Sequence, residues 1–263
     1  MDIQTKYNIK RQGTGKKVMM FAHGYGCDQN MWRFITPAFQ NEYSLVLFDY
    51  IGAGKSDLSF YTKQHYSSLQ AYADDVLEIC QYLNLTDVIF VGHSVSAMIG
   101  ALAAISDPSR ISKLVMVGPS PCYINDEDYT GGFSRTDIDG LLESLESNYL
   151  GWSSTMAPVI MANPDQPELS EELTESFCST DPEIAAQFAK VTFLSDSRQD
   201  LSQLDKDTLI IQCAEDVIAP QVVGQYVHQQ VKGSKMVVLD ATGHCPHMSA
   251  PDETIEAIRG FLK

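Results

Sequence analysis

The sequence predicts an α/β protein: a mostly parallel central sheet with helices on both faces and a helical insertion at one edge. Three observations predict it. Short apolar runs alternate with amphipathic stretches over residues 18–117 and again over 209–262. The pentapeptide Gly92-His93-Ser94-Val95-Ser96 joins an apolar run to a stretch of small residues, so it reads as strand, sharp turn, helix. Residues 121–195 break the alternation, with helical patterns and no convincing buried strand.

Taken in order, residues 18–22 and 45–48 read as buried strands, with a short helix between them over 31–39. Leu69, Tyr72, Ala73, Val76, Leu77, Cys80 and Leu83 have helical spacing and predict a helix over 68–84. A strand at 88–91, a helix from 95 and a strand at 114–117 follow. The final part reads as a strand at 209–211, a helix over 222–231, a strand at 236–239 and a closing helix over 253–262. Inside the insertion, helical patterns cover 138–149, 169–178 and 184–194, punctuated by Pro158, Pro164, Pro167 and Pro182. The division is therefore a sheet-bearing core of residues 1–120 and 196–263, with an insertion of 121–195. Pockets in such sheets form at the carboxyl ends of the strands, which an insertion here would cover, so the segment reads as a lid. The alternative is a helical appendage with no substrate role.

Composition narrows the function classes. With 34 acidic against 18 basic residues the net charge is −16, which repels a phosphate backbone and argues against nucleic acid as a partner. Charge of this size serves solubility. No apolar run approaches the length of a membrane span, and the first residues carry no basic region followed by an apolar stretch, so the expected location is the cytoplasm. The six cysteines are scattered without a C-x-x-C pair and read as free thiols. Cys245 between His244 and His247 lacks the further close partners that zinc requires, and no metal is expected. Gly52-Ala53-Gly54-Lys55-Ser56 contains Gly-Lys-Ser after a strand, but a phosphate-binding loop needs a glycine where Asp49 stands.

The chemistry centres on Ser94. A serine on a tight strand-to-helix turn is lifted clear of the sheet, and the residues two before and two after it must be small. Gly92 and Ser96 meet this, with serine at the second position where the usual pattern has glycine. A hydroxyl is a weak nucleophile and needs a base, and the base needs an orienting carboxylate. In the order Ser, acid, His, the loop after strand 209–211 offers Asp216, with Glu215 as competitor, and the loop after strand 236–239 offers His244, with His247 as competitor. An oxyanion needs two backbone donors. The Val95 N–H is one; the Tyr25 N–H, in the glycine-bearing loop His23-Gly24-Tyr25-Gly26-Cys27, is the other. His23 and His93 read as bracing residues.

These motifs, together with Phe48-Asp49-Tyr50, Gly118-Pro119-Ser120 and Gly243-His244-Cys245-Pro246-His247, resemble the α/β-hydrolases over essentially the whole chain. More narrowly, the chain resembles the RsbQ group of bacterial stress-response regulators and is similar to the plant karrikin and strigolactone receptors. The resemblance implies an α/β-hydrolase fold with a lid of four short helices and a triad at Ser94, Asp216 and His244. It puts Tyr25 where the family has phenylalanine, which implies an added hydroxyl near the oxyanion hole. Phe133, Trp152 and Phe193 match lid or rim aromatics, and Met156 and Leu194 would line the cavity with them, although such residues also serve as a lid's own core. The activity implied is hydrolysis of a small apolar ester or lactone, without metal or organic cofactor. The partner implied is a PAS-domain phosphatase in general-stress (sigma-B) signalling. A catabolic esterase on the same scaffold is the alternative.

Overall fold

The computed structural model describes residues 2–263. Seven strands form one sheet: β1 (Lys10–Gln12), β2 (Lys17–Ala22), β3 (Tyr43–Leu47), β4 (Val88–His93), β5 (Ile111–Val117), β6 (Asp207–Glu215) and β7 (Lys235–Thr242), in the order β1-β3-β2-β4-β5-β6-β7. Only β1 is antiparallel to its neighbour. The helices are α1 (Ile3–Lys6), α2 (Leu69–Tyr82), α3 (Val95–Ser106), α4 (Arg135–Ser147), α5 (Tyr149–Met161), α6 (Pro167–Cys178), α7 (Pro182–Phe193), α8 (Gln221–Gln230), α9 (Pro246–Ser249) and α10 (Pro251–Leu262). The architecture is the α/β-hydrolase fold. Among the described residues no helix is long and apolar enough to cross a membrane.

Side-chain alternation sorts the strands into two cores. Met19, Phe21, Ile89, Val91, Val115 and Val117 face one layer, closed by Trp32, Ile258 and Phe261. Met20, Ala22, Phe90, Leu114 and Met116 face the other, closed by α2, α3 and Val227 of α8. With both faces covered, the central strands read as continuous apolar runs rather than alternating ones.

One expectation fails locally, and one helix has no counterpart in the apolar spacing. Residues 31–39 form no α-helix but two 3-10 turns, Gln29–Trp32 and Thr36–Ala38. Asp28 caps the first turn, and Pro37, which cannot donate an N–H, sits inside the second. The pattern also passed over α5, whose residues are apolar on most sides and include Pro158.

The chain leaves β2 toward β3 on one side, then crosses back to β4 on the other. This reversal opens a crevice beyond the carboxyl ends of β2 and β4. Helices α4–α7 lie between β5 and β6 in sequence and pack on the core layer of Phe21 and Val91.

Candidate active site

Ser94 sits between β4 and α3 with φ +56° and ψ −123°, a backbone that a side-chain-bearing residue rarely adopts. The turn leaves no space on either side. A Cβ on Gly92 would lie 2.5 Å from the Ser96 carbonyl oxygen. Ser96, standing in for the usual glycine, is fully buried, and its Oγ donates to the His23 carbonyl and lies 3.0 Å from the Tyr50 hydroxyl. The extra hydroxyl thus ties the serine turn to the loop after β2.

The structure brings Ser94, His244 and Asp216 together. His244 Nε2 is 2.8 Å from Ser94 Oγ, and His244 Nδ1 is 2.7 Å from Asp216 Oδ2. The remaining Asp216 oxygen accepts the N–H groups of Ile218 (2.8 Å) and Ala219 (3.0 Å). A carboxylate held this way needs the imidazole to carry its proton on Nδ1, which leaves the Nε2 lone pair facing the serine. Glu215 ends β6 with its side chain exposed and takes no part. His247 is fully buried, with both ring nitrogens unpartnered, and burial drives it down to about 3.

Val95 opens α3, so its N–H has no partner within the helix. The Tyr25 N–H makes no hydrogen bond to the described backbone. Both belong to the crevice between β2 and β4. His23 shapes the Tyr25 loop: Nδ1 donates to the Gly24 carbonyl (2.9 Å), and Nε2 accepts from the Tyr50 N–H (3.2 Å). The hydroxyl expected to add polarity near the oxyanion hole is used elsewhere, since Tyr25 Oη donates to the Ala185 carbonyl of α7 at 3.2 Å. Its ring meets Trp152, Phe177, Phe188 and Phe193 with centroids 5.8–6.3 Å away.

A largely apolar cavity opens onto Ser94. Trp152 and Phe193 line it, while Phe133, Met156 and Leu194 do not. Phe133 is held in a bridge to Ile124 ahead of α4, and Met156 packs half-buried against the core. Leu194 follows Phe193 at the end of α7; a one-residue step turns the side chain about 100°, and Leu194 is exposed on an outer groove. Sequence reasoning missed Tyr123, Phe177, Thr192 and Ile218. Tyr123 follows β5, the strand beside β4, and lines the cavity with Ser94; burial pushes its phenol up to about 12, so it stays neutral. Among the described residues, no group of three or more His, Cys, Asp or Glu is placed to hold a metal.

Residues 19–257 match the family described as Alpha/beta hydrolase family. The chain belongs to the alpha/beta hydrolase family. Within it, the chain is 37% identical to Karrikin insensitive 2 receptor CA of Petunia hybrida, over 97% of this chain and 95% of that one. It is 36% identical to Strigolactone esterase D14 of Arabidopsis thaliana, over 97% and 96%. A hydrolase from Oleispira antarctica superposes with a TM-score of 0.97 at 42% identity, over 99% of this chain and 96% of that one. The relatives of this chain include both esterase-named and receptor-named proteins.

Proposed function

We propose that the protein is a serine hydrolase of small, largely apolar esters or lactones. The observation that carries this reading is the chain of hydrogen bonds from Asp216 through His244 to Ser94, at 2.7 and 2.8 Å, opening onto an apolar cavity. Ser94 Oγ attacks the carbonyl carbon while His244 Nε2 takes its proton. The Tyr25 and Val95 N–H groups hold the oxyanion, and Asp216 steadies the imidazolium. The C–O bond breaks, the leaving oxygen takes the proton from His244, and an acyl ester remains on Ser94. Water, deprotonated by His244, then attacks the acyl carbon, and the acid leaves as Ser94 regains its proton. Helices α4–α7 act as the lid over this chemistry, and the compartment is the cytoplasm.

The test is turnover of an activated acetate ester by the wild type and by Ser94→Ala, with intact mass followed at early times. Release of the alcohol and an adduct on the wild type alone supports the reading. Equal turnover by Ser94→Ala overturns it.

A regulatory role is the second reading, favoured by the likeness to a receptor-named relative along nearly the whole chain. Here ligand handling sets the affinity for a partner, and the resemblance to the RsbQ group makes that partner a PAS-domain phosphatase of the general-stress (sigma-B) pathway. Capture of that phosphatase on the immobilised protein supports it. Failure to bind the purified phosphatase, with and without ligand, removes it.

A further inference from the structure

Three consecutive residues carry the base: Thr242 ends β7, Gly243 turns the chain, and His244 follows. Four hydrogen bonds hold them. The Gly243 N–H donates to the Glu215 carbonyl of β6 at 2.7 Å, and the His244 carbonyl accepts from His93 Nε2 at 2.8 Å. Those two come from the sheet-bearing core. The other two come from the insertion. The His244 N–H donates to the Ile160 carbonyl at 2.8 Å, and the Thr242 carbonyl accepts from Asn163 Nδ2 at 2.9 Å.

The local sequence explains why the end of α5 offers these groups. The last four carbonyls of a helix have no partner inside it. The Pro158 carbonyl takes the Ala162 N–H at 2.8 Å, which leaves that of Ile160 free for His244. Ala162 then adopts φ +51° and ψ +31°, a left-handed backbone that alanine seldom takes, and Pro164 disfavours helical backbone at Asn163. The chain therefore leaves the helix sharply, and the Asn163 side chain turns back over it. Its amide nitrogen donates to the Met161 carbonyl as well as to that of Thr242, which uses both donors of the group. Facing two carbonyls, that atom is the nitrogen and not the oxygen. A Cβ on Gly243 would lie 1.9 Å from the Met161 carbonyl oxygen and 3.2 Å from Asn163 Nδ2, so loop and helix end meet with no space between them.

From this geometry we propose that Asn163 is a positioning residue for the hydrolysis: it pins the end of β7 to the end of α5 and so sets where His244 presents its imidazole to Ser94. Asn163 does not line the cavity, so it acts through the loop alone. The inference rests on the proposed hydrolysis for the work that His244 does. There His244 serves twice, as base to Ser94 and then as base to water. Displacing it slows both half-reactions and leaves substrate binding alone.

The test follows an activated acetate ester, burst and steady state, in wild type, Asn163→Ala, Asn163→Asp and Asn163→His, beside hydrogen exchange of the His244 amide by NMR. Asn163→Asp is isosteric but turns acceptor oxygens toward two carbonyls, whereas Asn163→His can return one N–H. In Asn163→Ala kcat falls about tenfold, in Asn163→Asp further, with KM within about twofold of wild type; burst and steady-state rates fall together, and Asn163→His recovers part of the loss. The His244 amide exchanges several-fold faster in Asn163→Ala and Asn163→Asp while the amides of β4 and β5 keep their wild-type rates, a local release rather than a damaged fold. A kcat within about twofold of wild type in both variants, a rise in KM at constant kcat, or unchanged His244 exchange overturns the inference. The exchange measurement also separates the two readings. If the wild type turns over no ester, the hydrolase falls, and faster or unchanged His244 exchange alone retains or overturns the pinning by Asn163. Wild-type turnover that no variant alters does the reverse.

Discussion

His93 Nε2 donates to the backbone carbonyl of His244 at 2.8 Å. The residue beside the serine therefore fixes the loop that carries the base. Burial and the neighbouring imidazoles of His247 and His244 push the His93 ring well below its ordinary range, so it is neutral and carries a single N–H for this bond. Its other edge packs on Gly24, one residue before Tyr25. One ring thus spaces the Ser94 turn, the loop of His244 and the loop of Tyr25.

His93→Phe keeps a ring and loses the donor. The expected result is a fall in kcat of about tenfold with KM nearly constant, because base alignment rather than substrate contact is disturbed. The His244 carbonyl left without a partner lowers stability by about 1–3 kcal/mol. His93→Gln, which can return an N–H to that carbonyl, recovers part of kcat. A rise in KM at constant kcat in His93→Phe would contradict this role.

Asp216→Asn leaves the fold and removes the charge that holds the proton on Nδ1. The amide can present its NH₂ to that nitrogen, which favours the tautomer with the proton facing Ser94. Steady-state ester hydrolysis should drop by about 10³–10⁴ in kcat. Thermal denaturation should show a folded protein.

Gly243 has φ +89°, and a Cβ there would lie 1.9 Å from the Met161 carbonyl. Gly243→Ala combines left-handed backbone strain with a backbone clash. It should cost about 2 kcal/mol or more in chemical denaturation and lower kcat by displacing His244. A variant of unchanged stability and rate would show that the loop yields freely.

Asp75 is buried at 3% exposure, accepts from the Tyr7 (2.6 Å) and Tyr66 (3.0 Å) hydroxyls, and is raised from 3.8 to about 6 by burial, against the lowering effect of those hydrogen bonds. A carboxyl that holds its proton more tightly when folded contributes stability that is complete below about pH 4 and is lost as the pH rises through about 6. The contribution is about 3 kcal/mol. Asp75→Asn mimics the protonated form at every pH. The stability difference between variant and wild type should therefore shift by about 2–3 kcal/mol in the variant's favour between pH 4 and 7, read by urea denaturation. A difference that stays constant with pH would refute the raised carboxyl.

The central strands were legible because both of their faces are covered and their residues are apolar throughout. β1 was not, since Lys10, Arg11 and Gln12 are all exposed and the strand is an edge held only by backbone pairing to β3. The serine turn, the loop acid and the loop histidine were legible because each follows a strand end that the fold gathers at one edge. Tyr123 was not, because its approach to Ser94 depends on β5 lying beside β4, which no local spacing encodes. The cavity wall was the least legible part. Whether an aromatic on a short helix faces the cavity or the helix bundle turns on rotations of one residue, as Phe193 and Leu194 demonstrate.

The four-helix insertion is fastened to both halves of the machinery. The His244 N–H donates to Ile160 and the Asn163 amide to Thr242, while Ser176 donates to Gly26 and Tyr25 to Ala185. A shift at the end of α5 would displace His244, and a shift of α6 or α7 would displace the loop of Tyr25. The position of the insertion and the position of His244 and Tyr25 are thus tied together by hydrogen bonds to the main chain. By thermodynamic reciprocity, a molecule that gripped these helices from outside and altered the affinity of the cavity would have its own affinity altered by the same factor when the cavity fills.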